Sequence, residues 1–429
     1  MSQHTLATGR AATLIKLAFA AGAKLSAAFI AFGLTALVTR NMPNDEAGLF
    51  LLGFSLLAVL SIFFRLGLDN VVLRFLSAHG TDAFAQEKLN RGILWIVTLS
   101  VPATIVGMFS SELIATYIFN KPAFGPVLFW ILPALPAMAV FFLLAQAFQA
   151  QHRVVVTTIF QNLGVSSVFI LGFGYIWYEQ PQLLSSITAA VTYSVAALIM
   201  FLAAIITWFG QRHVRFSLKG YGDGELYTAS VNLWIASNMT LLTLWSGILI
   251  AGAMVPAEEL AQLSAAQRTA TLTSFVLMVV NMVVAPRYAH MWKKGDIAGI
   301  RRLAKWSTRG MIAMVTPVVA IMILVPEKLM SLFGDGFEEA GMLLSIMAVG
   351  QFINVATGSV GYLLNMSGHE KDMRRVTLFA GPLTIVSAFL FTYEWGVTGA
   401  AAATALGVGV QNLAALMMVK RRLGFWPLS

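Results

Sequence analysis

Four cations stand inside strongly apolar stretches of this sequence: Lys16, Lys24, Arg65 and Arg268. A charge at membrane depth costs several kcal/mol unless it faces protein or water, so such positions carry functional weight. The ligand that suits an ammonium or guanidinium held there is an anion, above all a phosphate or diphosphate. Lys24 falls twelve residues into its stretch. That is roughly 18 Å along a helix, near the middle of a ~30 Å hydrocarbon slab. Arg268 starts roughly 12 Å from the outer end of its own helix, in the polar context Ser264-Ala-Ala-Gln267-Arg268-Thr269. Lys16 and Arg65 lie nearer the ends of their stretches and can reach headgroups by snorkelling. All nineteen Asp and Glu residues fall outside the apolar stretches. Lys24 and Arg268 therefore have two prospects, an incoming anion or packing against backbone carbonyls and water. Asn232 and Asn238, with Thr228, Ser237 and Thr243, make the seventh stretch too polar to face lipid. Together with Gln267 they are candidates for a wet cavity wall that holds sugar; hydrogen-bonded ties between helices are the other reading.

The elements that position these residues follow from composition. The chain has 429 residues, 58% apolar and only 11% charged, against about 25% charged in an ordinary soluble domain. A soluble enzyme is excluded. Apolar stretches fall near 12–38, 47–66, 92–110, 126–149, 154–177, 184–209, 226–253, 260–285, 310–326, 340–366, 376–393 and 397–419. They lack the period-2 alternation of barrel strands, so they predict an all-α polytopic membrane protein with 12 transmembrane helices. The formal net charge of +9 reflects topology rather than nucleic-acid binding, because the cations sit between the stretches. Only Arg40, Lys121 and Lys328 lie in the odd-numbered loops, and the remaining cations outside the stretches lie in the even loops and termini. By the positive-inside rule both termini are cytoplasmic. The basic segment 286–309 has Ile297, Ile300 and Leu303 at helical spacing among its cations, which predicts a helix lying in the headgroup plane. Trp95, Trp177, Trp208 and Trp426 fall near stretch ends and read as interfacial anchors.

An internal repeat runs through the chain at an offset of 213 to 216 residues. It pairs Arg74 with Arg287, Pro102 with Pro317, Glu112 with Glu327, Phe119 with Phe333 and Gln149 with Asn365. Two six-helix lobes, 1–212 and 213–429, follow. With six helices each, both start from the same membrane face and are related by a pseudo-twofold axis along the membrane normal. Such lobes can enclose a cavity that opens to either side.

Catalysis has no visible equipment. There is no cysteine, hence no disulfide or thiolate metal site. No Walker-type glycine loop, metal-ligand spacing or carboxylate pair occurs, so the sequence calls for no cofactor and no metal.

The run Arg40-Asn-Met-Pro-Asn-Asp-Glu-Ala-Gly48-Leu-Phe50, then Arg65-Leu-Gly67-Leu-Asp-Asn and Arg74, resembles the start of bacterial polysaccharide flippases. These belong to the multidrug/oligosaccharidyl-lipid/polysaccharide exporter superfamily. The likeness extends through the twelve stretches, the 6+6 repeat and the basic segment after the eighth helix. It implies a transporter of the bacterial inner membrane that moves an undecaprenyl-diphosphate-linked oligosaccharide from the cytoplasmic to the periplasmic leaflet by alternating access. Contact with polysaccharide polymerase machinery is a further expectation of the resemblance. Related peptidoglycan-precursor flippases carry cavity cations on helices one, two and eight. By helix and sign these correspond to Lys16 and Lys24, Arg65, and Arg268, with Lys in place of Arg on helix one. Two spans common in that branch are missing, so an O-antigen or exopolysaccharide unit fits better. Drug exporters of the superfamily are the alternative, but they use membrane carboxylates that these stretches lack. A membrane-embedded polysaccharide polymerase is a more remote one, since the odd loops are short.

Overall fold

The computed structural model describes residues 22, 26–80, 82–211 and 224–428. Among them every regular element is helical. Helix α1 covers 26–41. It is followed by α2 (Asn44–Phe64), α3 (Leu68–His79), α4 (Ala83–Phe109), α5 (Phe124–Ala150), α6 (Val155–Glu179) and α7 (Ser186–Phe209). Then come α8 (Gly224–Met254), α9 (Ala257–Lys293), α10 (Ile297–Leu324), α11 (Phe337–Met366) and α12 (Glu370–Leu423). Ten of these are long and apolar enough to cross a membrane, and the protein is a multi-pass membrane protein. Phe109, Ile206 and Phe379 are among the apolar side chains left facing outward, as a hydrocarbon solvent permits. The 54-residue α12 is broken at Trp395 and Gly396, whose backbone leaves the helical region, Gly396 at φ +57°.

Two sequence expectations need correction. The basic segment 286–309 is not a separate helix in the headgroup plane. It is divided between the end of α9 and the first half of α10, and in α10 Ile300, Ala304, Thr308, Met311, Val315 and Val319 form one buried stripe from end to end. Ile300 is fully buried, packed in a cluster with Val360 and Leu363. An unbroken stripe at i, i+3 and i+4 spacing turns one face of the whole element toward protein, so its first turns continue the span. Trp208 is not an interfacial anchor either. It is fully buried, edge-on to Phe148 at 5.4 Å between ring centroids. Trp177 and Trp426 do remain partly exposed.

Helix α3 fills part of the long loop after the second stretch. Leu68, Val71, Val72, Phe75 and Leu76 are buried, a 3.6-period face turned toward protein.

The repeat has a packing counterpart. A Cβ on Gly125 would meet Glu112 at 3.4 Å, and one on Gly341 would meet Glu327 at 3.2 Å. The two glutamates are the repeat pair, and each receives a glycine of the helix that follows it.

Helix α2 packs closely at both ends against elements far along the chain. At its N-terminal end Gly48 lies so close to Ala257 that a Cβ would fall 1.7 Å from the Ala257 oxygen. Nearby, the Lys121 ammonium donates to the Gly252 carbonyl at 2.7 Å, capping the last turn of α8. Burial holds Lys121 below the usual lysine range. At the C-terminal end Leu66 (φ +54°) and Gly67 (φ +71°) break the chain out of α2, and a Cβ on Gly67 would fall 2.4 Å from the Trp234 nitrogen. The Trp234 indole closes that end by donating to the Phe63 carbonyl at 2.8 Å.

Candidate functional site

One stripe of α2, Phe54, Ala58, Ser61 and Arg65, lines a cavity of about 210 Å³. The spacing puts these residues on one helix face. Opposite them stand Met138 and Phe142 of α5, Tyr193 of α7, and Phe160, Gln161 and Asn162 of α6. The last three come from a π-helical turn, Ile159–Leu163. A π-turn widens the helix locally and turns consecutive side chains toward one space, an arrangement frequent at functional sites.

Arg65 is neutralised. Its guanidinium meets Asp69 at 2.8 Å, lies 5.0 Å from the centre of the Phe142 ring and donates from Nε to the Ser61 carbonyl at 3.3 Å. Burial raises the Asp69 carboxyl above the usual carboxylate range, and the neighbouring Arg65 pulls it back. The ion pair was not legible because Asp69 lies beyond the apolar stretch. The Leu66–Gly67 break starts α3 at once and brings its first turn back to α2.

Arg268 differs. It is half-buried, and among the described residues it forms no ion pair and no hydrogen bond. Its guanidinium lies over the Phe54 ring, 4.4 Å from the centroid, and is within electrostatic reach of Tyr193. Phe54 and Tyr193 pack edge to face at 5.3 Å, and both also line the cavity that holds Arg65. An aromatic pair thus separates the unneutralised arginine of α9 from the paired arginine of α2.

The remaining candidates are not gathered there. Gln267 points the other way, donating to the Leu244 carbonyl at 2.8 Å beside Gln351 and Thr404. Asn238 spends its amide on the Trp234 carbonyl of its own helix, also at 2.8 Å. Lys16 and Lys24 lie outside the described residues, as does the side chain of Asn232. Sequence reasoning passed over Tyr193 and Ser61, and it gave no role to Gln161 and Asn162. Ser61 lies one turn from Arg65 on the same face, a spacing the sequence carries, whereas Tyr193 and the π-turn give no such signal.

Two apolar grooves lie between elements far apart in the chain. One, of about 330 Å³, runs between Phe29 and Phe32 of α1, Leu272 of α9 and Ile321 of α10. The other, of about 350 Å³, lies between Trp95 and Leu99 of α4 and Tyr227 and Trp234 of α8.

The fold is one shared by transporters of the multidrug/oligosaccharidyl-lipid/polysaccharide exporter superfamily. An inward-facing multidrug resistance transporter of that superfamily superposes with a TM-score of 0.77 at 13% identity, over 94% of this chain and 98% of the other. The lipid II flippase MurJ in an inward closed conformation gives 0.73 at 12% identity, over 94% and 87%. Residues 15–292 match the family described as Polysaccharide biosynthesis protein, and residues 234–390 match the MatE family. The first match covers well over half the chain, so the protein belongs to the polysaccharide biosynthesis protein family. An uncharacterized membrane protein of Methanocaldococcus jannaschii, MJ1068, is 23% identical over 416 residues, covering 89% of this chain and 78% of its own length.

Proposed function

We propose that the protein moves an undecaprenyl-diphosphate-linked oligosaccharide from the cytoplasmic to the periplasmic leaflet of a bacterial inner membrane. The observation that carries this reading is Arg268, an arginine in a membrane span that lies over the Phe54 ring and has no ion pair or hydrogen bond among the described residues. A buried cation without a counter-charge is stabilised by the arrival of an anion, and a diphosphate suits the guanidinium fork. Lys24 would join it from helix one, with Lys16 drawing the headgroup from the cytoplasmic mouth, whereas Arg65, expected from the sequence to share that role, is already paired with Asp69. Asn232, Asn238 and Gln267 remain candidate sugar contacts. In this reading 1–212 and 213–429 are two six-helix lobes, with α12 supplying two spans and both termini cytoplasmic. Rocking of one lobe against the other exposes the site to each side in turn. The lateral apolar grooves give the prenyl chain a way to stay in hydrocarbon while the headgroup crosses.

Two tests bear on it. Expression in flippase-deficient bacteria restores surface polysaccharide and gives no resistance to cationic drugs. Drug resistance without rescue would instead support the multidrug reading that the MatE match at 234–390 favours. Negative charge leaving a cell that is negative inside gains ~2.3 kcal/mol per charge per 100 mV. Collapsing the potential at constant pH gradient therefore slows export, and an unchanged rate excludes the potential as a driving force.

A further inference from the structure

The 210 Å³ cavity differs in chemistry from the surroundings of Arg268. Among the described residues its one cation is matched by Asp69 at 2.8 Å, so these residues offer an anion no net charge. The cavity offers unmatched neutral polar groups instead. Among the described residues the Ser61 hydroxyl is buried without a hydrogen-bond partner. Among the described residues the Asn162 amide and the Tyr193 hydroxyl also take none, although Tyr193 is only 4% exposed. A buried polar group is nearly always paired, so the orphan Ser61 hydroxyl, on the same cavity wall as the open Asn162 amide and Tyr193 hydroxyl, points to a ligand that completes it. The rings of Phe54, Phe142 and Phe160 stand around these groups. Amides and hydroxyls set among aromatic faces match a sugar ring, which has hydroxyls at its rim and apolar C–H faces. The π-turn Ile159–Leu163 brings Phe160 and Asn162 to the same wall, and an ordinary helix would not present them together.

We infer that this cavity inside the N-terminal half is a subsite for one neutral sugar of the transported lipid. The inference rests on the reading of the substrate as a lipid-linked glycan. Phe54 and Tyr193 border both places, so the sugar sits in the neutral cavity while the diphosphate stays on Arg268 at its edge. The subsite selects for the sugar nearest the lipid, and Arg268 for the diphosphate.

The test compares two lipids on the full-length protein in nanodiscs: undecaprenyl diphosphate and the same lipid carrying a single N-acetylglucosamine. Two or three hydrogen bonds at roughly 1 kcal/mol each make the sugar-bearing lipid bind about tenfold to a hundredfold more tightly. Asn162→Ala and Ser61→Ala, both milder than removal of a ring, abolish that preference and leave affinity for the bare lipid unchanged. Equal binding of the two lipids by the wild type overturns the subsite, as does retention of the preference in both variants. If neither lipid binds the wild type, the lipid-diphosphate reading fails first and the subsite falls with it.

Discussion

Arg268→Gln abolishes export while the protein stays in the membrane at its normal level and nearly its normal stability. The separation follows from what Arg268 touches. Among the described residues it has no carboxylate partner, so its removal strands no charge, and the Phe54 contact is worth about 0.5 to 2 kcal/mol. A charge-assisted hydrogen bond to phosphate contributes ~1.5 to 3 kcal/mol, so loss of the guanidinium lowers affinity for the lipid diphosphate at least tenfold. Arg65→Gln behaves differently. It leaves Asp69 unpaired, and burial already raises that carboxyl, so activity and thermal stability fall together. The measurements are polysaccharide export in flippase-deficient cells at matched protein levels and the melting temperature of purified variants. Full rescue by Arg268→Gln would remove the proposed diphosphate site. A stability loss in Arg268→Gln as large as in Arg65→Gln would show that the arginine is structural.

What the sequence reveals here depends on the length scale of the signal. Span positions are legible because the apolar stretches are continuous and the bilayer fixes their length. Residues 297–309 were misplaced because a basic amphipathic turn at a membrane surface and the protruding end of a span have the same periodicity. Only the buried run from Ile300 to Met322 distinguishes them. At the site, Arg268 stands out as a charge with no acid in its stretch. The Arg65–Asp69 pair does not, because it depends on positive φ at Leu66 and Gly67, a local break that composition cannot foresee. Tyr193 is harder still. Its role comes from meeting Phe54 across two helices far apart in the chain, and one aromatic residue among many in apolar helices carries no mark of that.

In the proposed two-lobe transport reading, with Gly48 at the outer face and Gly67 at the inner, the glycines at the two ends of α2 act in opposite directions on the cavity between the lobes. At Gly48 the obstacle to a Cβ is the backbone oxygen of Ala257, 1.7 Å away, which cannot yield as a side chain would. Gly48→Ala therefore separates α2 from the start of α9 and opens the outer seam. At Gly67 a side chain would meet the Trp234 backbone and must also adopt φ +71°, so Gly67→Ala loosens the inner seam. Overpacking of this kind typically costs ~1 to 3 kcal/mol, enough to move a two-state transporter strongly toward one side. Phe54 lies between the two seams, and the chain has no cysteine, so Phe54→Cys is a clean reporter. A membrane-impermeant thiol reagent added outside cells labels it several-fold faster with Gly48→Ala. With Gly67→Ala the increase appears in inside-out vesicles. If the two substitutions change labelling equally from both faces, α2 is a passive strut and the halves do not pivot about it. If labelling follows the end that is wedged, the two close glycine contacts are the alternating seals of the transport cycle.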